Sequence, residues 1–509
     1  MLEAKLRTRL NDYLSPLLND YQKKITRRLE PKIFRDVIWG FHNYRPYEIA
    51  IIDLPLFQRL RNLFQTSLAL FTYPCAVHSR FEHSLGVASV ASRLLSAIEE
   101  RSGGHLDLNP VMKLEVRLAA LLHDLAHGPF SHSSEKFYER LTDEGFPIFS
   151  HNRISNRRIT GRLNLERPEL FAESSASELL TYLLLTTDAF KTFWKFVVGM
   201  YERDEPSLRE VDPERMASMI LGADLKIGSH GRFYREIVNG PFDADKLDYL
   251  PRDGYFTGLD LRVDIERLLH TLKVVTQDSV RTLGVVTSGS SVLEQVIFAK
   301  SQLFSSVYHH HKVRAAHQLL LQLLRTLSEG DSRPRGLDLN DPVSYTILDD
   351  YDLLGSAHAE SKAETIVTTI KARRLPKRAL VITYPCFADG ESRENFNRLD
   401  EDDVKLIEAQ VESELNLHPG DVMVDIPEPP RVFGTGQALV ELAPGRTMLL
   451  QELYPAGAWA KAYVGYRRVA YIFTTSVDRR KVGLAAKDAL RKLADPIKLN
   501  ENALDLAKT

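Results

Sequence analysis

The chain is 509 residues long, 44% apolar and 26% charged, a composition that suits a water-soluble globular protein with room for more than one domain. Its 66 basic and 68 acidic side chains leave a formal charge of −2, so nothing global points to nucleic acid or an acidic membrane, and a phosphate-rich ligand would need a local basic pocket. The two cysteines, Cys75 and Cys386, lie far apart and outside any CxxC, and no apolar run reaches the roughly 18 residues of a membrane span. This argues against a disulfide scaffold or a thiolate zinc site, no spanning helix is expected, and a reducing cytoplasm fits. Residues 1–30 read as a polar surface helix with Leu2, Leu6, Leu10, Leu14, Leu17 and Leu18 as its apolar positions. A turn or short strand follows around Asp36 to Gly40, then helix after Pro55. Residues 81–100 repeat Leu85, Val87, Val90, Leu94 and Leu95 at helical spacing, and Ser102-Gly103-Gly104 ends that helix.

The stretch VRLAALLHDLAHG predicts a helix that runs through His123-Asp124 and stops at Gly128-Pro129. Residues 141–170, rich in Arg, Asn and Pro, read as an irregular insert, and helices are expected at 173–201, 213–224 and 230–239. Gly240-Pro241 breaks the chain before a segment with five aspartates between 243 and 260. A long helix is expected from Leu293 to Ser328, followed by a linker at GDSRPRG, 330–336. Beyond it, RALVITYP, DVMVDIP and YRRVAYIFTT are strand-like, whereas LGSAHAESKAETIVTTIKARR and VGLAAKDALRKLAD are helical. The expected organisation is mainly α: an N-terminal helix at 1–30, a helical domain at 31–335 and a smaller α+β region at 336–509.

Chemistry concentrates in LLHDLAHGPFSH, Leu121 to His132. A buried His-Asp doublet is costly without a partner, and a divalent metal accepts both imidazole and carboxylate. His83, His123, Asp124 and Asp245 form a candidate ligand set, each near a helix end or first turn. Two imidazoles and two carboxylates leave open positions on an octahedral ion. Any one of the four, taken alone, is more often a capping or hydrogen-bonded group than a ligand.

RFEHSLGV, HDLAHGPFSH and DADKLDYLPRD match the H…HD…D signature of the HD-domain phosphohydrolases. Together with IIDLPLFQRLRNLFQ and PCAVHSRFEHSLGV, these motifs closely resemble the deoxynucleoside triphosphate triphosphohydrolases, in particular those that carry a SAM and an HD domain, here without the SAM part. The resemblance extends into the C-terminal lobe through DVMVDIP and RRVAYIFTTSVDRRKVGLAAKDAL. It implies an HD helical core, a divalent cofactor (Mn, Mg, Fe or Zn), and hydrolysis of a dNTP to deoxynucleoside and inorganic triphosphate. It further implies metal ligation by His83, His123, Asp124 and Asp245. It places His127 at the α-phosphate, His132 at the 5′ oxygen, Arg80 on a phosphate or sugar oxygen and Lys246 on the phosphate tail. Gln65, Tyr249 and Asp253 would meet the sugar. For several of these a structural role competes: His132 as a helix cap, Lys246 as a solvated charge, Tyr249 as core.

Two departures from the family pattern bear on the reaction. The family's HExxS stretch supplies a His that works with an acid, here Glu135. HNRIS keeps His151 but has Asn152 for Glu, and AESSAS keeps Glu173 but has Ala172 for His; His151 is the preferred imidazole. Farther along, Lys300, Tyr308 and His309-His310-His311-Lys312 stand where the family has Arg, Tyr, His and Lys. Lys keeps the charge without the fork of Arg, and three consecutive helical His residues cannot converge on one ion. The resemblance also implies homo-oligomers and a nucleotide effector touching Asp53, Gln58, Arg61 and Arg373, against which DLPLFQRLR could simply tie helices together. Two competing readings are an HD phosphodiesterase or nucleotidase acting on another phosphate ester (a signalling nucleotide or a nucleic-acid end) and a binding protein with a decayed site.

Overall fold

The computed structural model describes residues 2–139, 174–330, 333–355, 361–427, 432–454 and 468–508. The chain forms two compact units. The first comprises Met1–Lys300, Leu327–Ala357 and Phe433–Ala456, and the second Ser301–Thr326, His358–Val432 and Gly457–Thr509. The sequence pointed to one passage between regions at GDSRPRG; the compact units instead exchange chain five times, partly because two late strands join a sheet of the first unit.

Helix α1 (Leu2–Lys24) buries Leu6, Leu10, Leu14 and Leu18. This stripe recurs every four residues, so it lies along one side of a 3.6-residue helix. Helices α2 (Arg80–Arg101), α3 (Pro110–Leu122) and α4 (His132–Glu139) follow. The helix expected over 173–201 is two, α5 (Ala176–Leu185) and α6 (Asp188–Tyr201), which pack against α1. They part because Thr187 leaves the helical conformation and its hydroxyl accepts the Phe190 N–H at 3.2 Å, capping α6. Helix α7 (Ala244–Thr257) begins after the Gly240-Pro241 break with Asp243 as its cap and ends at Gly258, whose φ is +72°.

Strands β1 (Lys32–Asp36) and β2 (Gly40–Tyr44) form a hairpin. Its turn is fixed by the Asp36 carboxylate, which accepts the N–H groups of Ile38 and Trp39 at 2.7 and 2.9 Å. A second hairpin, β3 (Leu272–Gln277) and β4 (Val280–Val286), was not anticipated. Strand β7 (Leu439–Ala443) runs parallel to β4, and β8 (Arg446–Leu449) completes that four-stranded sheet.

In the second unit, β5 (Lys377–Ile382), β6 (Val422–Asp425) and β9 (Ala470–Thr474) form an antiparallel sheet in the order β5-β9-β6. These match the three strand-like runs of the sequence. Leu380, Val424 and Ile472 pack with Ile407, Val482 and Ala486 from helices Glu401–Glu414 and Arg479–Arg491. The single helix expected from Leu293 to Ser328 is interrupted. Ser290–Leu303 and His311–Glu329 are separated by a π-helical turn, Phe304–Tyr308, where the His309 N–H reaches the Phe304 carbonyl five residues back at 2.9 Å.

Candidate active site

The first unit brings the four candidate ligands together from three places in the chain. His83 lies in the first turn of α2, whose start is fixed by a capping box: the Ser79 hydroxyl accepts the Phe81 N–H, and Glu82 accepts the Ser79 N–H at 3.0 Å. His123 and Asp124 do not sit inside a helix as expected. Helix α3 ends at Leu122, and tight turns follow, with Leu125 N–H on Leu122 O and His127 N–H on Asp124 O, both at 3.0 Å. Pro129 explains part of this, because it offers no N–H to the Leu125 carbonyl. That carbonyl and the one of His127 are taken by the buried Arg59 guanidinium, at 3.0 and 2.7 Å. Asp245 lies in the first turn of α7.

The nitrogen and oxygen atoms of these four converge. His83 Nε2 is 3.0 Å from Asp245 Oδ1 and 3.8 Å from Asp124 Oδ2. His123 Nε2 is 3.3 Å from His83 Nε2, 3.4 Å from Asp124 Oδ1 and 3.9 Å from Asp245 Oδ1. The Nδ1 atoms fix the tautomers. His123 Nδ1 is 2.8 Å from the Ala120 carbonyl, which only accepts, and His83 Nδ1 is 2.8 Å from the Asp248 carboxylate. Both Nδ1 atoms therefore donate, and two Nε2 atoms face each other between two carboxylates. That arrangement calls for positive charge at its centre. Burial opposes a charged His83, but Asp245 and Asp248 overcome it and raise the imidazole to about 10. A divalent cation would answer the same field and displace that proton. The residues present fit such an ion, and the set opens toward solvent at Asp245, whose side chain is 37% exposed against 1% for His83.

A buried chain of charge backs the ligands. Asp248 accepts from Arg252 at 2.8 and 2.9 Å and from Trp39 Nε1 at 2.6 Å, and Arg252 reaches Asp36 at 2.9 Å. Gly86 makes room for it: a side chain there would begin 1.9 Å from Asp248 Oδ1. Outer carboxylates of this kind fix the orientation and basicity of a metal-binding imidazole. Sequence reading missed Asp248 and Arg252 as functional groups, although their i,i+4 spacing in DKLDYLPRD was a visible signal of an ion pair.

Beside the ligands, Arg80 pairs with Asp124 and donates to Ser131 Oγ at 2.6 Å. Its remaining Nη2 is buried without a hydrogen-bond partner among the described residues, as are His127 Nδ1 and Gln65 Oε1. The first two belong to side chains that face Asp124, and polar atoms left unsatisfied next to a candidate metal centre mark where a polar ligand would bind. His127 Nε2 is 3.4 Å from Asp124 Oδ1. Burial and the nearby Arg80 outweigh Asp124 and bring the His127 imidazole down to about 3, so it is neutral at ordinary pH. His132 stands 5.1 Å from it, ring centre to ring centre. The His132 ring is open to solvent, so burial costs its charge little, and the Glu135 carboxylate at 2.7 Å raises its pKa. Glu135 also accepts from Ser177 Oγ at 2.8 Å; despite its burial, His132 holds it well below the usual carboxylate range.

The depressed His127 value has a consequence for stability. Below its ordinary 6.5 the unfolded chain takes up a proton that the folded site refuses, until about 3. Stability must therefore fall as pH drops through that window. Urea unfolding of His127→Gln should show a flatter decline between about pH 6.5 and about pH 4 than the parent chain. An equally steep decline would contradict the assignment.

Other expected contacts are engaged within the protein. Lys246 Nζ binds the Gly240 carbonyl at 2.9 Å and the Asp243 carboxylate. Tyr249 is half-buried, and burial with Asp245 beside it keeps the phenol protonated. Asp253 is buried against His78 Nε2 at 2.8 Å, and that ring stacks on Phe256. Asp53 pairs with Lys32 at 2.6 Å, Gln58 donates to the Ile52 carbonyl at 2.7 Å, and Arg61 donates to Gln58 at 2.8 Å while covering the Phe81 ring. Lys300 ends the longest segment of the first unit, while Tyr308 and Arg373 belong to the second. His151, Ala172 and Glu173 lie outside the described residues.

Comparison with known proteins agrees with this geometry. The HD domain family matches residues 80–190, which hold His83, His123 and Asp124, and the HD associated region matches residues 263–497. The chain therefore carries an HD domain over residues 80–190. It is 27% identical to the deoxynucleoside triphosphate triphosphohydrolase SAMHD1 homolog of Dictyostelium discoideum, over 70% of this chain and 62% of that protein. It is 27% identical to the SAMHD1 triphosphohydrolase of Bos taurus, over 78% of this chain and 66% of that one. An uncharacterised protein of Methanocaldococcus jannaschii is 26% identical over 78% of this chain and 69% of its own length. The chain thus spans less than two thirds of the two triphosphohydrolases.

Proposed function

We propose that this protein is a metal-dependent hydrolase that splits a dNTP into deoxynucleoside and inorganic triphosphate. The observation that carries this reading is the pair of unsatisfied buried atoms on Arg80 and His127, two side chains that both face Asp124 among the converging imidazoles and carboxylates. His83, His123, Asp124 and Asp245 would hold a divalent ion, which supplies Lewis-acid charge to the α-phosphate and acidifies bound water. Arg80, held by Asp124 and Ser131, turns its free Nη2 to a phosphate oxygen. Neutral His127 donates to the α-phosphate from Nδ1, which then carries the ring's one proton while Nε2 is left bare. His132, charged through Glu135, gives its proton to the departing 5′ oxygen. The His132–Glu135 pair supplies the acid that the broken HExxS pattern seemed to remove. Lys246 meets the phosphate tail, Gln65 and Tyr249 the sugar, and Lys300 a further substrate oxygen. The nucleotide effector at Asp53, Gln58, Arg61 and Arg373, and the homo-oligomer, belong to the same reading and rest on the similarity to the triphosphohydrolases.

One observation favours a second reading. Asp253, assigned to the sugar by resemblance, is bound to His78 instead. An HD phosphodiesterase or nucleotidase would keep the phosphate machinery and differ at this nucleoside end. No helix among the described residues is long and apolar enough to cross a membrane. The test is incubation with each dNTP and rNTP plus Mn or Mg, with products resolved by chromatography. Triphosphate and free deoxynucleoside are expected; pyrophosphate, or cleavage of other phosphate esters only, would transfer the protein to the second reading.

A further inference from the structure

The segment between the two imidazoles, Gly128 to Ser131, is held in a costly shape. Phe130 and Ser131 lie at φ +54° and +52°, a region that side-chain-bearing residues rarely adopt. Such a conformation persists only where its surroundings over-determine it. Those surroundings come from residues 345–350, inside the HD associated region and far from the HD domain in sequence. Asp350 is 1% exposed, and its carboxylate accepts the Phe130 N–H at 2.5 Å and the Phe64 N–H at 2.8 Å. The Tyr345 ring occupies the place a side chain at residue 128 would need, 2.1 Å from where its first carbon would stand. Arg59 joins the Leu348 carbonyl, at 2.8 Å, to the turn that bears His127. The two amides bound by Asp350 are themselves linked, since Ser131 Oγ donates to the Phe64 carbonyl at 3.2 Å and accepts from Arg80.

We propose that Asp350 is a positioning residue of the hydrolytic site: by tying the Phe130 and Phe64 amides to one carboxylate, it sets the spacing of His127 and His132 and the aim of Arg80. Asp350 need not touch the reacting atoms. Burial raises its carboxyl to about 7 against the pull of the two N–H donors, so an acid is maintained here at a cost that an apolar residue would avoid. An amide in its place presents one oxygen and one NH2. One backbone N–H then loses its acceptor and meets another donor.

For turnover the inference rests on the proposed dNTP hydrolysis, so the experiment carries a second readout. The full chain is compared with Asp350→Asn, and with Asp349→Asn as a neighbouring control whose carboxylate binds only the outer Asn62 amide and its own turn. Hydrogen exchange is followed by mass spectrometry in peptides covering 63–67, 127–135 and helices α2 and α3. Steady-state kinetics and bound Mn are measured on the same samples. Asp350→Asn should lower kcat by about tenfold or more with KM nearly constant, as expected of a misplaced reacting geometry. It should leave bound Mn unchanged and speed exchange in 63–67 and 127–135 alone; Asp349→Asn should do none of this. Unchanged exchange with unchanged kcat would overturn the proposal, and so would exchange that rises equally in α2 and α3, which signals general loosening. If the parent chain splits no dNTP, the proposed function falls, and the exchange pattern alone decides the role of Asp350. Should Asp350→Asn fail to fold, Asp350→Ser, which leaves room for water at both amides, is judged by the same outcomes.

Discussion

Replacing His123 by Ala is expected to lower hydrolysis by about a thousandfold or more while leaving the fold intact, the scale associated with losing metal-assisted chemistry. His123 Nε2 stands within 3.9 Å of donor atoms on all three other candidate ligands. Its removal leaves one imidazole and two carboxylates around a site built for four. The side chain is partly exposed, and its one inward tie is to the Ala120 carbonyl, so circular dichroism and the unfolding midpoint should change little. Asp124→Ala should be as inactive but less stable. Asp124 also pairs with Arg80 and faces His127, and its loss strands a buried guanidinium. Activity retained in both variants would show that the convergence of these atoms has no catalytic meaning.

The second large effect is structural. Arg252→Ala should destabilise the chain by roughly 3–5 kcal/mol, read by urea unfolding, because it leaves two buried carboxylates without their cation. Arg252 and Asp248 are fully buried and Asp36 nearly so. The vacated space cannot admit a counter-charge cheaply, since Gly86 already brings the α2 backbone against Asp248. The same change frees Asp248 from its fork, loosening the carboxylate that orients His83. Metal affinity should therefore weaken about 10- to 100-fold in whatever protein still folds. Unchanged stability would mean that the charge chain is solvated and that Asp248 orients nothing.

The parts legible in the sequence are those in which residue type and local spacing carry the chemistry. His83 and Asp245 stand in first turns whose capping residues, Ser79 and Asp243, are short-range signals, and His123 and Asp124 follow directly on the end of α3. The three strands of the second unit were visible as β-branched and aromatic runs. The β3–β4 hairpin was overlooked although its two-residue turn, Asp278-Ser279, has the polar character that left-handed turn positions favour. The end of α3 was read a turn too late because Pro129 was taken as a stop at its own position, whereas its missing N–H acts on the carbonyl four residues earlier. Arg59 and Asp350 could not be read at all. Arg59 meets His127 across 68 positions, and Asp350 meets Phe130 across 220, and no local pattern encodes such a meeting. His151, the imidazole preferred from the broken HExxS pattern, lies outside the described residues, whereas the His132–Glu135 pair, only three residues apart and also named from the sequence, has the geometry of an acid and its partner.

Asp245 offers the most direct test, because it alone among the four candidate ligands lies outside the segment matched by the HD domain. Equilibrium dialysis of the metal-stripped full chain and of Asp245→Ala against Mn(II) counts the ions held. One ion bound tightly per parent chain, with that binding weakened or lost in Asp245→Ala, is the expected result. Equal binding in the two proteins, or no tight binding in the parent, would contradict a metal centre built from His83, His123, Asp124 and Asp245.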